Sequence, residues 1–154
     1  MTSLPLDTLQ QEILSQEIDG FMQRWTGAET PKNYRHLLQE VENGEVSAEC
    51  CGTLTGLLEV VLESGRARKL YRPVGENALS SLFQKTPRGT MLAQQTTKVN
   101  QALKGLESQR ISGITFRSSG PGVWSLTLQT DRCEMNLRID RQGIQVHTLG
   151  VDLG

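Results

Sequence analysis

The spacing of the apolar residues changes near Arg110, and this change constrains the fold more than any other feature of the chain. Before Arg110, apolar residues recur every three or four positions, which is typical of amphipathic helices. After it, apolar and polar residues alternate, which is typical of strands that bury one face. The sequence therefore predicts an α+β protein in which about five amino-terminal helices pack on a carboxy-terminal four-stranded antiparallel β-meander.

Start and stop signals divide the helical part, at about residues 6–107, into five segments. Asp7 and Gln10 have the spacing of a capping box, in which the side chain of each accepts a hydrogen bond from the backbone N–H of the other. Thr30-Pro31 is typical of a helix start, and Gly44 of a helix end. The predicted helices lie at about 6–25, 30–44, 47–65, 76–84 and 89–107.

The predicted strands occupy about residues 110–149 and are separated by three turn sequences. Short loops at these turns determine which residues of neighbouring strands lie side by side. The predicted neighbours are Leu128 with Cys133, Phe116 with Trp124, and Leu137 with Val146. All three hairpins then place their apolar residues on one face, which the helices are expected to cover.

The opposite face of the predicted sheet is polar and mildly basic. One predicted row across the strands contains Thr115, Ser125, Asn136 and His147, and the next contains Arg117, Val123, Arg138 and Gln145. Most such faces are only solvated, but this one is also suited to an acidic partner. Phe116 and Trp124 are expected on the buried face, so the polar face lacks the aromatic residues on which nucleic-acid-binding sheets stack bases.

The length of 154 residues suits a single domain covering 1–154, and the composition is that of an ordinary globular chain. The longest stretch without a charged residue, 118–130, is too short and too polar to cross a membrane. No basic segment followed by an apolar run begins the chain, which argues against a secretory signal. The three cysteines form no Cys-x-x-Cys pair and are expected to be reduced and buried, so we expect a cytoplasmic protein.

The familiar motifs for catalysis and cofactor binding are missing from the sequence. The chain has no phosphate-binding glycine loop, dinucleotide-binding fingerprint, nucleophile elbow or zinc-protease helix. His36 is expected to be solvated, and the serine nearest to His147 is Ser125, two strands away, whereas a nucleophile and its base must lie within hydrogen-bond reach. We therefore expect no catalytic, metal-binding or cofactor-binding residue, and an enzyme with a site assembled from scattered polar residues stays an alternative.

The charges are divided along the chain. Residues 1–65 contain 11 acidic and three basic residues, a net of −8, whereas residues 66–154 contain 13 basic and six acidic residues, a net of +7. Either the two parts attract each other inside one fold, or one of them faces a partner of opposite charge. The candidate partner-binding residues are Arg66, Arg68, Lys69 and Arg72, clustered after the third predicted helix, together with Arg117, Arg138 and His147 on the polar face.

These features favour a non-enzymatic cytosolic protein–protein interaction module, such as an adaptor, a small chaperone or an assembly factor. Its partner would be an acidic protein surface or a second copy of the chain. The first alternative is a nucleic-acid-binding domain that uses the basic carboxy-terminal part. No cofactor, metal or membrane contact is expected.

Overall fold

A computed structural model describes residues 2–27, 29 and 31–151, and the chain divides into two compact units, Met1–Gly89 and Thr90–Gly154. Within the described residues, five helices precede a four-stranded antiparallel sheet, so the predicted α+β class is confirmed. That the chain is one domain stays a prediction. The helices are α1 (Thr8–Arg24), α2 (Lys32–Glu42), α3 (Cys51–Glu63), α4 (Arg66–Lys85) and α5 (Pro87–Lys104). The strands are β1 (Leu4–Pro5), β2 (Glu45–Val46), β3 (Ile111–Gly120), β4 (Val123–Thr130), β5 (Cys133–Asp140) and β6 (Gly143–Val151).

The ends of α1 and α2 follow the local sequence signals. The capping box of α1 is confirmed: the Gln10 backbone N–H donates to the Asp7 side chain over 2.8 Å, and the Asp7 N–H donates to the Gln10 side chain over 3.0 Å. Pro31 is the N-cap of α2, and the predicted cap Thr30 lies outside the described residues. Gly44 follows α2 with a φ of +85°, the left-handed conformation that glycine adopts most easily.

The fourth helix is longer than predicted, and it contains the basic cluster. The expected segment at 76–84 is the second part of α4, which begins at Arg66. Arg72 interrupts the helix with a φ of 62°, and it directly precedes Pro73, whose ring disfavours the helical conformation of the residue before it. Arg66, Arg68 and Lys69 therefore lie in the first turns of a helix, and Arg72 lies at its interruption.

The first unit has a core of its own. It is built from α1 to α4 and from a two-stranded sheet in which Leu4 of β1 pairs with Val46 of β2. This small sheet was not predicted, because two residues are too few to show an alternating pattern. The largest fully buried side chains of this core include Leu14, Ile18, Leu37, Leu54, Leu58, Leu79 and Leu82.

The second unit buries a smaller core between one helix and one face of the sheet. Its strands follow the order β3-β4-β5-β6, as a meander requires. Val99 of α5 packs with Leu128, Met135 and Leu137 of β4 and β5. Residues packed around them are Ala102, Leu103, Leu106, Leu126, Ile144 and Val146.

The predicted strand registers are partly correct. The pairing of Leu137 with Val146 is confirmed. The other two registers are wrong by two residues: Leu128 lies opposite Met135, and Phe116 lies opposite Leu126. Since side chains alternate between faces with a period of two, an even shift leaves the same residues on the same face.

The expected burial of Phe116 and Trp124 is wrong. They lie on the apolar face with Leu126 and Leu137, yet 58% of Phe116 and 42% of Trp124 is exposed. The reason is that the single helix packed on this face, α5, contacts residues of β4, β5 and β6 and none of β3 among the described core residues. The apolar face is therefore covered over only part of its width.

Candidate functional site

The uncovered part of the apolar face is a contiguous surface formed by Ile114, Phe116 and Trp124, which we call the β3 surface. Ile114 and Phe116 project from β3 on the same side, and Ile114 is 61% exposed. The rings of Phe116 and Trp124 stack, with centroids 5.7 Å apart and planes inclined by 14°. Two stacked aromatic rings form a rigid apolar platform that loses little conformational freedom when it binds a partner.

The outer edge of β3 adds unpaired backbone groups to this surface. β3 is the first strand of the sheet, and β4 is its only strand neighbour within the described part of the chain. Register irregularities lie near its two ends, at 111–113 and 118–120, so 113–118 form a regular strand. An exposed strand edge offers a row of N–H and C=O groups to which another strand can pair.

The charges near this edge are few. Arg117 is the only charged residue between positions 111 and 130. Charged residues on edge strands usually prevent unwanted pairing, and this edge has one. A strand that pairs along β3 would therefore meet apolar side chains on one face and a single cation on the other.

The polar face of the sheet also carries Arg138 and His147, which the sequence predicted as partner-binding residues together with Arg117. The observed row joins Arg117, Ser125, Arg138 and Gln145, so Ser125 occupies the place predicted for Val123 because of the two-residue shift. A shallow concavity of about 190 Å³ lies on this face. Its lining residues are Ser119, Val123, Trp124, Ser125, Asn136, Arg138 and His147.

The second predicted polar row is also displaced. Thr115 lies opposite Thr127, which lies opposite Asn136 and then Thr148. A bulge opposite Asn136 and Leu137 takes His147 out of this pairing, and His147 faces the concavity beside Arg138 instead. The Oδ1 atom of Asn136 is buried and has no hydrogen-bond partner among the described residues.

The positive charge of Arg138 is partly compensated on the surface. Its Nε atom lies 2.9 Å from Oδ2 of Asp140. This hydrogen bond, together with one from the Gln142 backbone, holds the pKa of Asp140 below its usual range. The polar face is thus less basic than the sequence indicates.

The basic cluster lies in the other compact unit, on α4, and part of its charge is used there. The Nε atom of Arg66 donates to Oε2 of the buried Glu17 over 2.8 Å, and the Tyr71 hydroxyl donates to the other oxygen of that carboxylate. Arg68 lies 3.4 Å from Glu76 in an exposed pair. Lys69 and Arg72 are exposed.

The charge division does not coincide with the division into units. Residues 1–89 contain 12 acidic and nine basic residues, a net of −3, and residues 90–154 contain five acidic and seven basic residues, a net of +2. The difference from −8 and +7 arises because the basic cluster belongs to the same unit as the acidic helices. Attraction within one unit therefore accounts for part of the charge pattern.

The structure also brings together three residues that the sequence did not connect. His36 and Glu40 are one turn apart on α2, and Cys50 is the N-cap of α3. Their ligand atoms all lie within 4.8 Å of one another. A helical i, i+4 pair was visible in the sequence, but no spacing rule indicates that Cys50 returns to it.

Comparison with protein-family models, with curated proteins and with solved structures finds no match to this chain. None of the described helices is long and apolar enough to span a membrane.

Proposed function

We propose that the protein is a non-enzymatic protein–protein interaction module that binds an extended segment of a partner protein along β3. The observation that supports the proposal is the uncovered apolar surface beside an unpaired strand edge. The module would act as an adaptor, a small chaperone or an assembly factor. We also propose a cytoplasmic location, since Cys50, Cys51 and Cys133 are free thiols.

The mode of binding follows from the two kinds of group that β3 exposes. An added strand satisfies the outer N–H and C=O groups by main-chain hydrogen bonds, which supply affinity without regard to sequence. Its alternate side chains contact Ile114 and Phe116, which supply specificity for apolar residues. Aromatic residues such as Phe116 are enriched near the centres of protein interfaces, where they pack closely and exclude water.

The chemistry of the partner follows from Arg117. On the face opposite to Phe116, the strand offers one cation and no anion. A partner segment that alternates apolar residues with an acidic residue would match both faces of β3. An acidic residue opposite Arg117 would also exclude partners that place a cation there.

Nucleic-acid binding is a second candidate, because the exposed and stacked rings of Phe116 and Trp124 resemble a base-stacking platform. One feature favours the protein partner over it. Arg117 and Arg138 share a row on the opposite face of the sheet from these rings. A strand of nucleic acid stacked on the aromatic residues would therefore lie away from the cations that should contact its phosphates.

The variant Phe116→Asp tests the proposal. It places a carboxylate in the centre of the β3 surface at a site that is more than half exposed, so the fold should be retained. Val74→Asp is the matched control, because Val74 is an apolar residue 70% exposed on α4. Affinity purification from the native cell with the three proteins should recover a partner with wild type and Val74→Asp and lose it with Phe116→Asp.

Hydrogen exchange on the purified complex then locates the contact. Protection should appear in alternate amides of 113–118, those that point away from β4 and toward the added strand. Recovery of the same partner by Phe116→Asp, or protection confined to other segments, would contradict the proposal. If the wild-type protein instead sediments as a dimer that Phe116→Asp dissociates, the occupant of β3 is a second copy. Salt-dependent binding of single-stranded DNA or RNA that Phe116→Asp abolishes would favour the second candidate.

A further inference from the structure

The cluster of His36, Glu40 and Cys50 lies in the first compact unit and has no part in the proposed function. His36 and Glu40 project from the same face of α2, since residues four apart on a helix are neighbours. The chain then leaves α2, forms β2 and turns back, which places the Cys50 side chain beside the Glu40 carboxylate. Three different donor atoms, a ring nitrogen, a carboxylate oxygen and a thiol sulfur, therefore lie close together.

The distances among these atoms suit a shared ligand. Nε2 of His36 lies 3.5 Å from Oε1 of Glu40, and the three ligand atoms lie within 4.8 Å of one another. In a tetrahedral zinc site, bond lengths of about 2.0–2.3 Å place neighbouring donor atoms about 3.3–3.6 Å apart. Shortening the longest of these separations by about 1.5 Å or less would therefore bring all three donors to one ion.

We propose that His36, Glu40 and Cys50 bind a transition-metal ion of the Zn²⁺ class. Nitrogen, sulfur and carboxylate donors together are the set that Zn²⁺ and Co²⁺ accept in tetrahedral sites, whereas Mg²⁺ and Ca²⁺ require oxygen donors. Three protein ligands leave a fourth position for water. On binding, the metal–sulfur bond replaces the S–H bond of Cys50, and the proton is released to solvent.

A layer of hydrogen bonds around the cluster holds the Glu40 carboxylate in position. The Ser47 backbone N–H donates to Oε2 of Glu40 over 2.8 Å, and the Ser47 hydroxyl donates to Oε1 over 2.7 Å. The Cys50 N–H in turn donates to the Ser47 hydroxyl oxygen. Hydrogen bonds of this kind orient metal ligands in known sites and are found beside most of them.

Burial changes across the cluster in a way that permits an ion to enter. Cys50 is 4% exposed, the Glu40 side chain is 17% exposed and the His36 side chain is 49% exposed. The thiol and carboxylate therefore form the floor of the site, and the imidazole stands at its mouth, where water can occupy the remaining position. Because α2 and the start of α3 both contribute, a bound ion would link these two elements.

Cobalt binding to the full-length, reduced and chelator-treated protein tests the proposal. Titration with CoCl₂ should produce one equivalent of tetrahedral Co²⁺ with a thiolate-to-cobalt absorption band in the near ultraviolet. Cys50→Ser should remove this band, whereas Cys51→Ser, the matched control, should retain it, because Cys51 is equally buried and lies outside the cluster. Zn²⁺ should displace the cobalt and raise the Tm of the wild type but not of Cys50→Ser.

His36→Gln is a second variant, and it should leave the core intact because the His36 side chain is half exposed. It should keep the wild-type Tm without metal and weaken Co²⁺ binding by about 10-fold or more. The absence of a thiolate band in the wild type would overturn the proposal, as would a band that persists in Cys50→Ser. Unchanged cobalt affinity in His36→Gln would also overturn it.

Discussion

The two compact units bury their apolar side chains to different extents. In the first, four helices surround a core in which residues such as Leu54 and Leu58 are fully buried. In the second, one helix packs on a four-stranded sheet, and Ile114 and Phe116 of the edge strand stay exposed on its apolar face. A sheet of four strands is wider than one helix, so a single helix leaves part of the face uncovered.

The units also differ in how they use charge. The first contains a buried carboxylate, Glu17, that pairs with Arg66 and accepts from Tyr71. The second contains Arg138 and Asp140, a partly exposed pair near the end of β5. The Glu17 carboxylate therefore contributes to the fold of the first unit, whereas the Arg138–Asp140 pair mainly affects what the surface of the second unit attracts.

The largest expected effect is on the covered part of the sheet. Leu137→Ala should lower the free energy of unfolding by about 2–5 kcal/mol, because Leu137 is 2% exposed and the change leaves a cavity. Phe116→Ala, on the same face, should cost about 1 kcal/mol or less, since more than half of its side chain is exposed. Urea denaturation followed by circular dichroism measures both. Equal losses would show that β3 is covered after all.

The next effect concerns the buried carboxylate of the first unit. Glu17→Gln should cost about 1.5–3 kcal/mol, because it weakens the hydrogen bonds that a charged acceptor makes with Arg66 and Tyr71. Asp140→Asn should lower the denaturation midpoint less, since its ion pair with Arg138 is only partly buried. If Asp140→Asn proves the more damaging of the two, the contrast in charge use between the units is wrong.

The stability of the first unit should also depend on pH in the alkaline range, through the hydroxyl of Tyr71. Burial, and then the Glu17 carboxylate, raise the pKa of Tyr71 well above its ordinary value of about 10. A group whose pKa is higher in the folded state contributes stability that is present below its unfolded pKa and lost as the pH rises above it. The Tm of the wild type should therefore fall more steeply above about pH 10 than that of Tyr71→Phe. If the Tm of the two proteins falls equally with pH, Tyr71 does not cause the loss of stability at alkaline pH.

The smallest effect on stability is expected from the exposed end of the basic cluster. Arg68→Glu with Lys69→Glu should leave the Tm almost unchanged, because both side chains are exposed and only Arg68 is in a described ion pair. If these residues face an acidic partner, the double variant should associate more slowly, with a flatter dependence on salt. Stopped-flow association at two salt concentrations measures this. A large fall in Tm would mean instead that the cluster supports the fold.

Some features of the candidate surfaces could be predicted from the sequence and others could not. The alternation in β3 and β4 placed Phe116 and Leu126 on one face, and that assignment survived a register error of two residues. The exposure of Phe116 could not be predicted, because it depends on which strands α5 contacts. The position of His147 could not be predicted either, because it follows from a bulge that turn chemistry does not reveal.

The sequence by itself determined the α+β class, the order of the five helices and of the four strands of the meander, the capping of α1 and the shared face of Phe116, Leu126 and Leu137. These features depend on spacing within a few residues, where helix and strand periodicity and turn chemistry act directly. Only the tertiary structure decided that Arg66 pairs with Glu17, that β3 is left uncovered, and that Cys50 meets His36 and Glu40. Those features join residues distant in the chain, and their geometry depends on how whole elements pack, which no local pattern specifies.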